Sequence, residues 1–537
     1  MADETLLPAW RRGGRSQEHN KTMVFLGIWA TLATFLALYY SPGHFSDLFK
    51  SHQSPKRNVI FFVSDGMGPA SLSLTRSFRQ YRDNLPIDDI LHLDDHFIGH
   101  SRTRSSDSLV TDSAAGATAF ACGFKTYNGA IGVFPDTDPC GTVLEGAKLR
   151  GYHTGMVVTT RITDATPASF SAHVLHREEE DLIAEHQLGM YPLGRMVDLM
   201  IGGGRCHFLP GSVDGGCRHD SRNLVEEAVE DGWQYVENRE QYDLLKGGNN
   251  ISLPLLALLA PGDIPYDLDR DDSVYPSLED TTRTAIRALE LATKHSDKGF
   301  FLLVEGSRID HAGHQNDPAA QVREVLAFDR AFQAAIEFSK KSNVETIVVS
   351  TSDHETGGLA TARQLTPSYP DYLWYPEALD NATHSAEYLG HALRHYNGKD
   401  VYDFIKTDIL KEGLGIPEPT EEQIKLLADN KKRSEDHIAN IISLRSQTGW
   451  STHGHSAVDV NVYGFSGHKR ANRRILKTLG GSNENTDIGK FLADYLDVDV
   501  SKVTDLLQQD DITTDDLDDP HGLDSYHAHI MAVTNGL

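Results

Sequence analysis

Positive charge is in short supply in this sequence. Lysine and arginine number 50 against 77 aspartates and glutamates, so the 537 residues carry a formal net charge of −27. General nucleic-acid binding needs a basic surface, and this balance makes the chain a poor candidate for it. Cysteine is rarer still, and four copies are too few for a disulfide scaffold. Glycine (45) and proline (21) stay near average usage, which argues against collagen-like or disordered organisation. No internal repeat is visible, and no Gly-x-Ser-x-Gly nucleophile elbow occurs. Histidine is the abundant type, with 26 copies available as metal ligands and acid/base groups. The length suffices for one large domain or two ordinary ones with a well-buried core.

Long hydrophobic runs are absent too, with one exception. Met23–Tyr40 is rich in apolar residues, and no Asp, Glu, Lys or Arg occurs from Thr22 to Ser46. As a helix this run rises about 27 Å, close to the hydrocarbon thickness of a bilayer. Arg11, Arg12, Arg15 and Lys21 precede it, so the positive-inside rule keeps the N-terminus cytosolic and sends the rest across. A cleaved signal peptide is the rival reading, but no clear small-x-small site precedes the next charges. The expected organisation is a cytosolic tail 1–22, a signal anchor 23–40, a linker 41–57, a main domain 58–500 and an acidic tail 501–537. Asp3-Glu-Thr-Leu6-Leu7 resembles acidic dileucine signals that route membrane proteins to vacuoles or lysosomes. A luminal body would be oxidising for its cysteines. Cys206 and Cys217, 11 apart in a Gly-rich stretch, are the favoured pair; Cys122 and Cys140 form a second, or Cys122 is a buried free thiol. Asn250 and Asn381 open glycosylation triplets.

Within the main domain, short apolar runs alternate with helix-like stretches. Asn58–Ser64, Gly155–Thr159, Val197–Ile201, Phe300–Val304 and Val344–Ser350 are nearly continuous rather than alternating, as suits strands buried on both faces of a parallel sheet. Leu278–Lys294 and Pro318–Lys340 read as helices between them. The pattern predicts an α/β fold around a large, mostly parallel sheet, with residues 361–449 inserted outside it. The stretch Asp505–Asp519 holds seven aspartates and is expected to be solvated and loosely packed.

The segments just past the strands carry the chemistry. The strands run into Asp65-Gly-Met-Gly, Thr159-Thr-Arg-Ile-Thr-Asp164-Ala-Thr166, Glu305-Gly-Ser-Arg-Ile-Asp310-His311-Ala-Gly-His314 and Asp353-His354-Glu-Thr. Ligands of open α/β sheets bind beyond the carboxyl ends of strands, so four strands deliver acids and imidazoles to one edge. Each motif alone has a bland reading as a turn, a cap or a helix-surface pair. Together they would repel one another without compensation, which divalent cations supply: mixed Asp/His sets suit zinc, all-oxygen sets magnesium. Ser113 opens a helix of small residues, where free N–H groups and the positive dipole end suit a phosphate.

Asp65-Gly-Met-Gly, Asp112-Ser113-Ala, Thr159-Thr-Arg, Glu305 to His314, Asp353-His354-Glu-Thr and Thr452-His453-Gly, in that order, resemble the alkaline phosphatases, most of all the membrane-anchored fungal vacuolar type. The resemblance implies two zinc ions and one magnesium per subunit, a homodimer, and broad hydrolysis of phosphate monoesters through a phosphoserine. It makes Ser113 the nucleophile and Arg177 the guanidinium that grips phosphate. Asp310, His314 and His453 become ligands of the first zinc, and Asp65, Asp353 and His354 ligands of the second. Asp65, Thr166 and Glu305 would hold magnesium, with Asp164 on its bound water. His311 would face the phosphate. A sulfatase would need a modifiable Cys where Ser113 stands, and a phosphodiesterase usually has Thr there and lacks the context of Arg177.

Overall fold

A computed structural model describes residues 56–508. The proposed anchor, cytosolic tail and most of the linker, and the acidic residues from 509 onward, lie outside the described residues. Among those described, no helix is long and apolar enough to cross a membrane.

Among the described residues twelve strands form: β1 (Arg57–Val63), β2 (Phe97–Arg102), β3 (His153–Arg161), β4 (Leu199–Gly203), β5 (Gln234–Val236), β6 (Leu255–Leu258), β7 (Phe300–Glu305), β8 (Glu345–Thr351), β9 (Glu355–Thr356), β10 (His455–Ser456), β11 (Val460–Ser466) and β12 (Gly481–Glu484). Ten make one sheet in the order β12-β2-β11-β8-β1-β7-β3-β4-β6-β5, and β9 pairs with β10. The run from β8 to β5 is parallel throughout, while β11 lies antiparallel to both β8 and β2. The continuous apolar runs have a direct cause. Along β1, Ile60 and Phe62 face one buried core, while Val59, Phe61 and Val63 face another. Helices Leu278–Ala292 and Pro318–Lys341 cover the first side, where Phe62 meets Phe328 and Phe332 edge-on, each at 5.6 Å. Helix Asn485–Leu496 covers the second.

Residues 361–449 contribute no strand to the sheet. Their helices pack into the first core through Leu379, Leu389, Leu393 and Ile442. The segment is closed at its base, where Ala360 and Gly449 exchange backbone hydrogen bonds of 2.8 and 2.9 Å. At the other end of the domain the chain stays packed just past the boundary expected near 500. Val500–Leu507 is a helix with Val503 and Leu507 buried, and Thr504 Oγ1 accepts from Gly141 N at 2.9 Å. Val500, Val503 and Leu507 recur at helical spacing, and that outweighs the acidic composition. Cys206–Cys217 and Cys122–Cys140 are both disulfides, with Cα separations of 4.8 and 6.1 Å, so Cys122 is not a free thiol. Asn250 and Asn381 are exposed.

One buried ion pair gives the fold a pH dependence. His173 Nδ1 donates to Gly132 O at 2.7 Å and Nε2 donates to Glu145 Oε1 at 2.8 Å, so both ring nitrogens carry protons. Burial opposes the charge on each group, but the pairing outweighs it: His173 is raised above its usual value and Glu145 lowered. Neighbouring His186 takes the opposite form; burial pushes it down to about 3, and its Nδ1 accepts from His173 N. Stabilisation from His173 is present below its unfolded value near 6.5 and lost as pH rises through its raised folded value; that from Glu145 is lost as pH falls below about 4.5. Glu145→Gln should therefore cost about 3 kcal/mol at pH 6 and clearly less at pH 9. The check is the difference in Tm between the two proteins across that range, and a difference independent of pH would exclude a charged pair.

Candidate active site

The carboxyl ends of the parallel strands meet in one crevice. Asp65 follows β1, Asp164 and Thr166 follow β3, Glu305 ends β7, and Asp353 and His354 follow β8. All are buried or nearly so, with Asp353 and His354 wholly inaccessible. The turn after β1 requires glycine. Gly66 sits at φ +74°, and a Cβ there would come within 2.5 Å of the Asp310 Cα. Only the bare backbone lets the first strand end approach the helix Arg308–His314, which carries Asp310 and His314 on one face.

Two overlapping groups of donors result. Asp310, His314 and His455 form one, and Asp65, Asp310 and His354 the other. His314 Nε2 lies 3.2 Å from Asp310 Oδ2, and His455 Nε2 lies 3.6 Å from Asp310 Oδ1. His354 Nε2 is 3.1 Å from Asp353 Oδ2 and 3.6 Å from Asp65 Oδ1. The rings of His354 and His455 stack at 3.5 Å. Thr356 Oγ1 donates to Asp310 Oδ1 at 2.5 Å.

His453, expected at the first zinc, is not in either group. Its Nδ1 donates to His314 O at 2.7 Å, while His314 Nδ1 donates to His453 O, so it clasps the backbone of His314. His455 stands in the position instead. In Thr-His-Gly-His the two imidazoles are two residues apart and fall on one face of an extended chain. What decides between them is the pairing of β10 with β9, which sets His455 opposite Thr356. No local signal in the sequence carries that register.

The nucleophile candidate is well placed. Asp112 caps the helix Ser113–Cys122 by accepting from Ala115 N at 3.0 Å, which leaves Ser113 as the first helical residue. Ser113 Oγ lies 3.0 Å from His354 Nε2. Arg177 reaches the same edge: its Nη1 is 3.5 Å from Asp112 Oδ2, and its Nη2 donates to Asp164 Oδ1 at 3.0 Å. His311 faces Asp263 Oδ2 at 3.6 Å and Arg308 Nε at 3.3 Å. Asp263 and Arg161 belong to this rim and carry no motif of their own.

The electrostatics fit bound cations. Burial and the nearby Asp353, Asp310 and Glu305 push Asp65 well above the carboxylate range, and burial pushes Glu305 up to about 8. Asp310 is held low despite burial, by the His314, His455 and His354 rings around it. Asp65 Oδ1 and Thr166 Oγ1 are buried without hydrogen-bond partners among the described residues, and Asp353 Oδ2 meets the His354 ring without a well-aligned hydrogen bond. Such atoms are costly unless something else satisfies them. The imidazoles say the same. His314 and His455 each commit Nδ1–H to a carbonyl, of His453 and Thr111, and point Nε2 at each other across 3.0 Å. At most one proton can lie between those atoms, whereas a shared cation accepts both lone pairs. The nitrogen-and-oxygen groups suit zinc; Thr166 with Glu305 and Asp65 offers oxygen only, as magnesium prefers.

A family model described as alkaline phosphatase matches residues 56–498. The repressible alkaline phosphatase of Saccharomyces cerevisiae is 54% identical over 534 residues, spanning 96% of this chain and 93% of its own length. The alkaline phosphatase of Schizosaccharomyces pombe is 46% identical over 529 residues, with 95% and 94% covered. Among solved structures, a cold-active alkaline phosphatase from Shewanella sp. superposes with TM-score 0.67 at 29% identity, covering 82% of this chain and 99% of that one. A His-to-Asp mutant of the alkaline phosphatase from the Antarctic bacterium TAB5, described with magnesium bound in its M3 site, has TM-score 0.57 at 27% identity and covers 83% and 99%.

Proposed function

From the premise that this chain belongs to the alkaline phosphatase family, and is therefore a phosphatase, we propose that it hydrolyses phosphate monoesters through a covalent phosphoserine at Ser113. The observation that carries the reading is the position of Ser113 Oγ, at a helix start and 3.0 Å from an imidazole in a cluster of unsatisfied metal donors. Zinc would be held by Asp310, His314 and His455, and by Asp65, Asp353 and His354; magnesium by Asp65, Thr166 and Glu305, with Asp164 beside it. When bound, these ions supply Lewis-acid stabilisation of oxygen charge, which makes an alkoxide at Ser113 accessible near neutral pH.

The chain's own groups do the rest. Ser113 Oγ, its proton released to solvent, attacks phosphorus, forming one P–O bond as the bond to the alcohol breaks, and the departing oxygen takes up a proton from solvent. Water then attacks the phosphoserine, and phosphate departs as the hydroxyl re-forms. Arg177 offers a planar fork to two phosphate oxygens, and Asp164 and Asp112 fix its plane. The amide groups at the helix start face the same charge. His311 borders the phosphate position, and burial lowers it below its usual value, so it is neutral in alkaline conditions and holds product weakly. Recognition confined to the phosphate makes the leaving group nearly irrelevant, as in a broad monoesterase.

The same reading makes the protein a single-pass type II membrane protein with its catalytic domain in the lumen of a vacuole-like compartment, acting as a homodimer. Two disulfides and two exposed sequon asparagines support a luminal site. The test is hydrolysis of a chromogenic phosphate monoester at pH 9. Activity should vanish with chelator and return with zinc plus magnesium, and turnover indifferent to chelator would sink the metal-assisted reading.

A further inference from the structure

Arg161 ends β3, and three carboxylates surround its guanidinium. Nε donates to Glu180 Oε2 at 2.8 Å, Nη1 to Asp263 Oδ1 at 2.8 Å, and Nη2 to Asp164 Oδ2 at 3.0 Å. Its backbone N–H also donates to Asp263 Oδ1, at 3.0 Å. Thr163 Oγ1 donates to Glu180 Oε2 at 2.6 Å, so the outer acid is itself fixed. Two of the three acids then face the crevice. Asp164 turns its other oxygen to Arg177 Nη2, and Asp263 turns its other oxygen toward His311.

Charges thus alternate along the rim from Arg177 through Asp164 and Arg161 to Asp263, with the imidazole of His311 beyond. Arg161 sits at the middle, bonded to Asp164 on one side and Asp263 on the other. We propose that Arg161 is a positioning residue for phosphate binding: through Asp164 it sets the plane of the Arg177 fork. This rests on the reading that Arg177 holds phosphate. A guanidinium is needed because three acids in different directions are met by three donors of one rigid plane. A lysine would keep the charge but gather its donors at one point. Without the tie, Asp164 loses a partner on one oxygen, and a shift of about 1 Å in a binding group is enough to cost a large factor in binding or rate.

The test is a double-mutant cycle read by the inhibition constant of inorganic phosphate, with metals saturating and zinc content measured for each protein. Arg177→Ala should raise the phosphate Ki by at least tenfold, and Arg161→Lys by about tenfold, with Tm lowered but the protein still folded at the assay temperature. In the Arg177→Ala background the Arg161→Lys change should have most of its effect removed, as expected if Arg161 acts through the Arg177 fork. A full tenfold effect there would show that Arg161 acts independently and overturn the inference, as would an unchanged Ki in the single variant. If Arg177→Ala itself leaves Ki unchanged, the reading beneath is wrong and the inference falls with it; if only Arg161→Lys is silent, the inference alone falls. Should Arg161→Lys fold poorly, Glu180→Gln loosens the same guanidinium from outside. It should raise Ki about threefold with Arg177 present and not without it; a threefold rise in both backgrounds refutes the coupling.

Discussion

Ser113→Ala should lower kcat by about 10³-fold or more, roughly 4 kcal/mol of transition-state stabilisation. The hydroxyl is the only atom removed. Alanine suits a helix start flanked by Ala114 and Ala115, and Ser113 is already buried, so the fold is untouched. Phosphate should still bind, because Arg177 and the metal donors remain in place. A slow residual rate is expected from water taking the serine's role. The complementary measurement is acid quenching of the unaltered enzyme with labelled substrate, which should leave phosphate on the peptide containing Ser113. Label on any other peptide removes Ser113 from the mechanism.

The second large effect separates two histidines two residues apart. His455→Ala should lose zinc by elemental analysis and reduce activity by more than the 10- to 100-fold typical of outer-shell changes. It removes one of three donors and leaves Asp310 and His314 with an open position. Stability in the presence of zinc should fall too, because a ligand bound only by the native state adds RT ln(1 + [L]/Kd). His453→Ala should keep its zinc. It deletes the hydrogen bond from Nδ1 to His314 O, for about 1 kcal/mol of stability, and loosens the clasp without removing a donor. If His453→Ala loses the metal and His455→Ala retains it, the wrong imidazole has been assigned to the zinc.

That pair shows where a sequence stops being readable. β1, β3, β7 and β8 announce themselves, since strands buried on both faces carry consecutive apolar residues along their middles, and the acids just beyond them are visible as strand-end motifs. β2 and β12 are different. Phe-Ile-Gly-His-Ser-Arg and Gly-Ser-Asn-Glu have no apolar run, and they are strands because β11 pairs with β2 from far along the chain and β2 in turn pairs with β12. β11 itself alternates because it is antiparallel near the sheet edge, a period the continuous-run criterion passes over. Asp263 comes after a short strand and a proline and carries no motif, so only the fold reveals that it faces Arg161. His455 is hidden for the same reason: its place depends on registry with β9, which no spacing within Thr-His-Gly-His encodes.

The hydrogen-bonded closure between Ala360 and Gly449 has an evolutionary corollary. In a reciprocal pair of this kind the two Cα atoms lie about 5.5 Å apart, a gap that a two-residue turn spans. Everything between them is therefore a cassette whose entry and exit coincide, and lengthening or exchanging it changes loop-closure entropy only slowly. Two obligations travel with any replacement. Its underside must cover the apolar face of helix Pro318–Lys341 now met by helices Pro376–Asp380 and Ser434–Ser446, and it must answer Arg308, which Glu387 binds at 2.6 Å at the start of the helix that carries Asp310 and His314. A lineage that meets both can remodel the approach to the crevice at will, while the strand ends, and the acids they carry, never move.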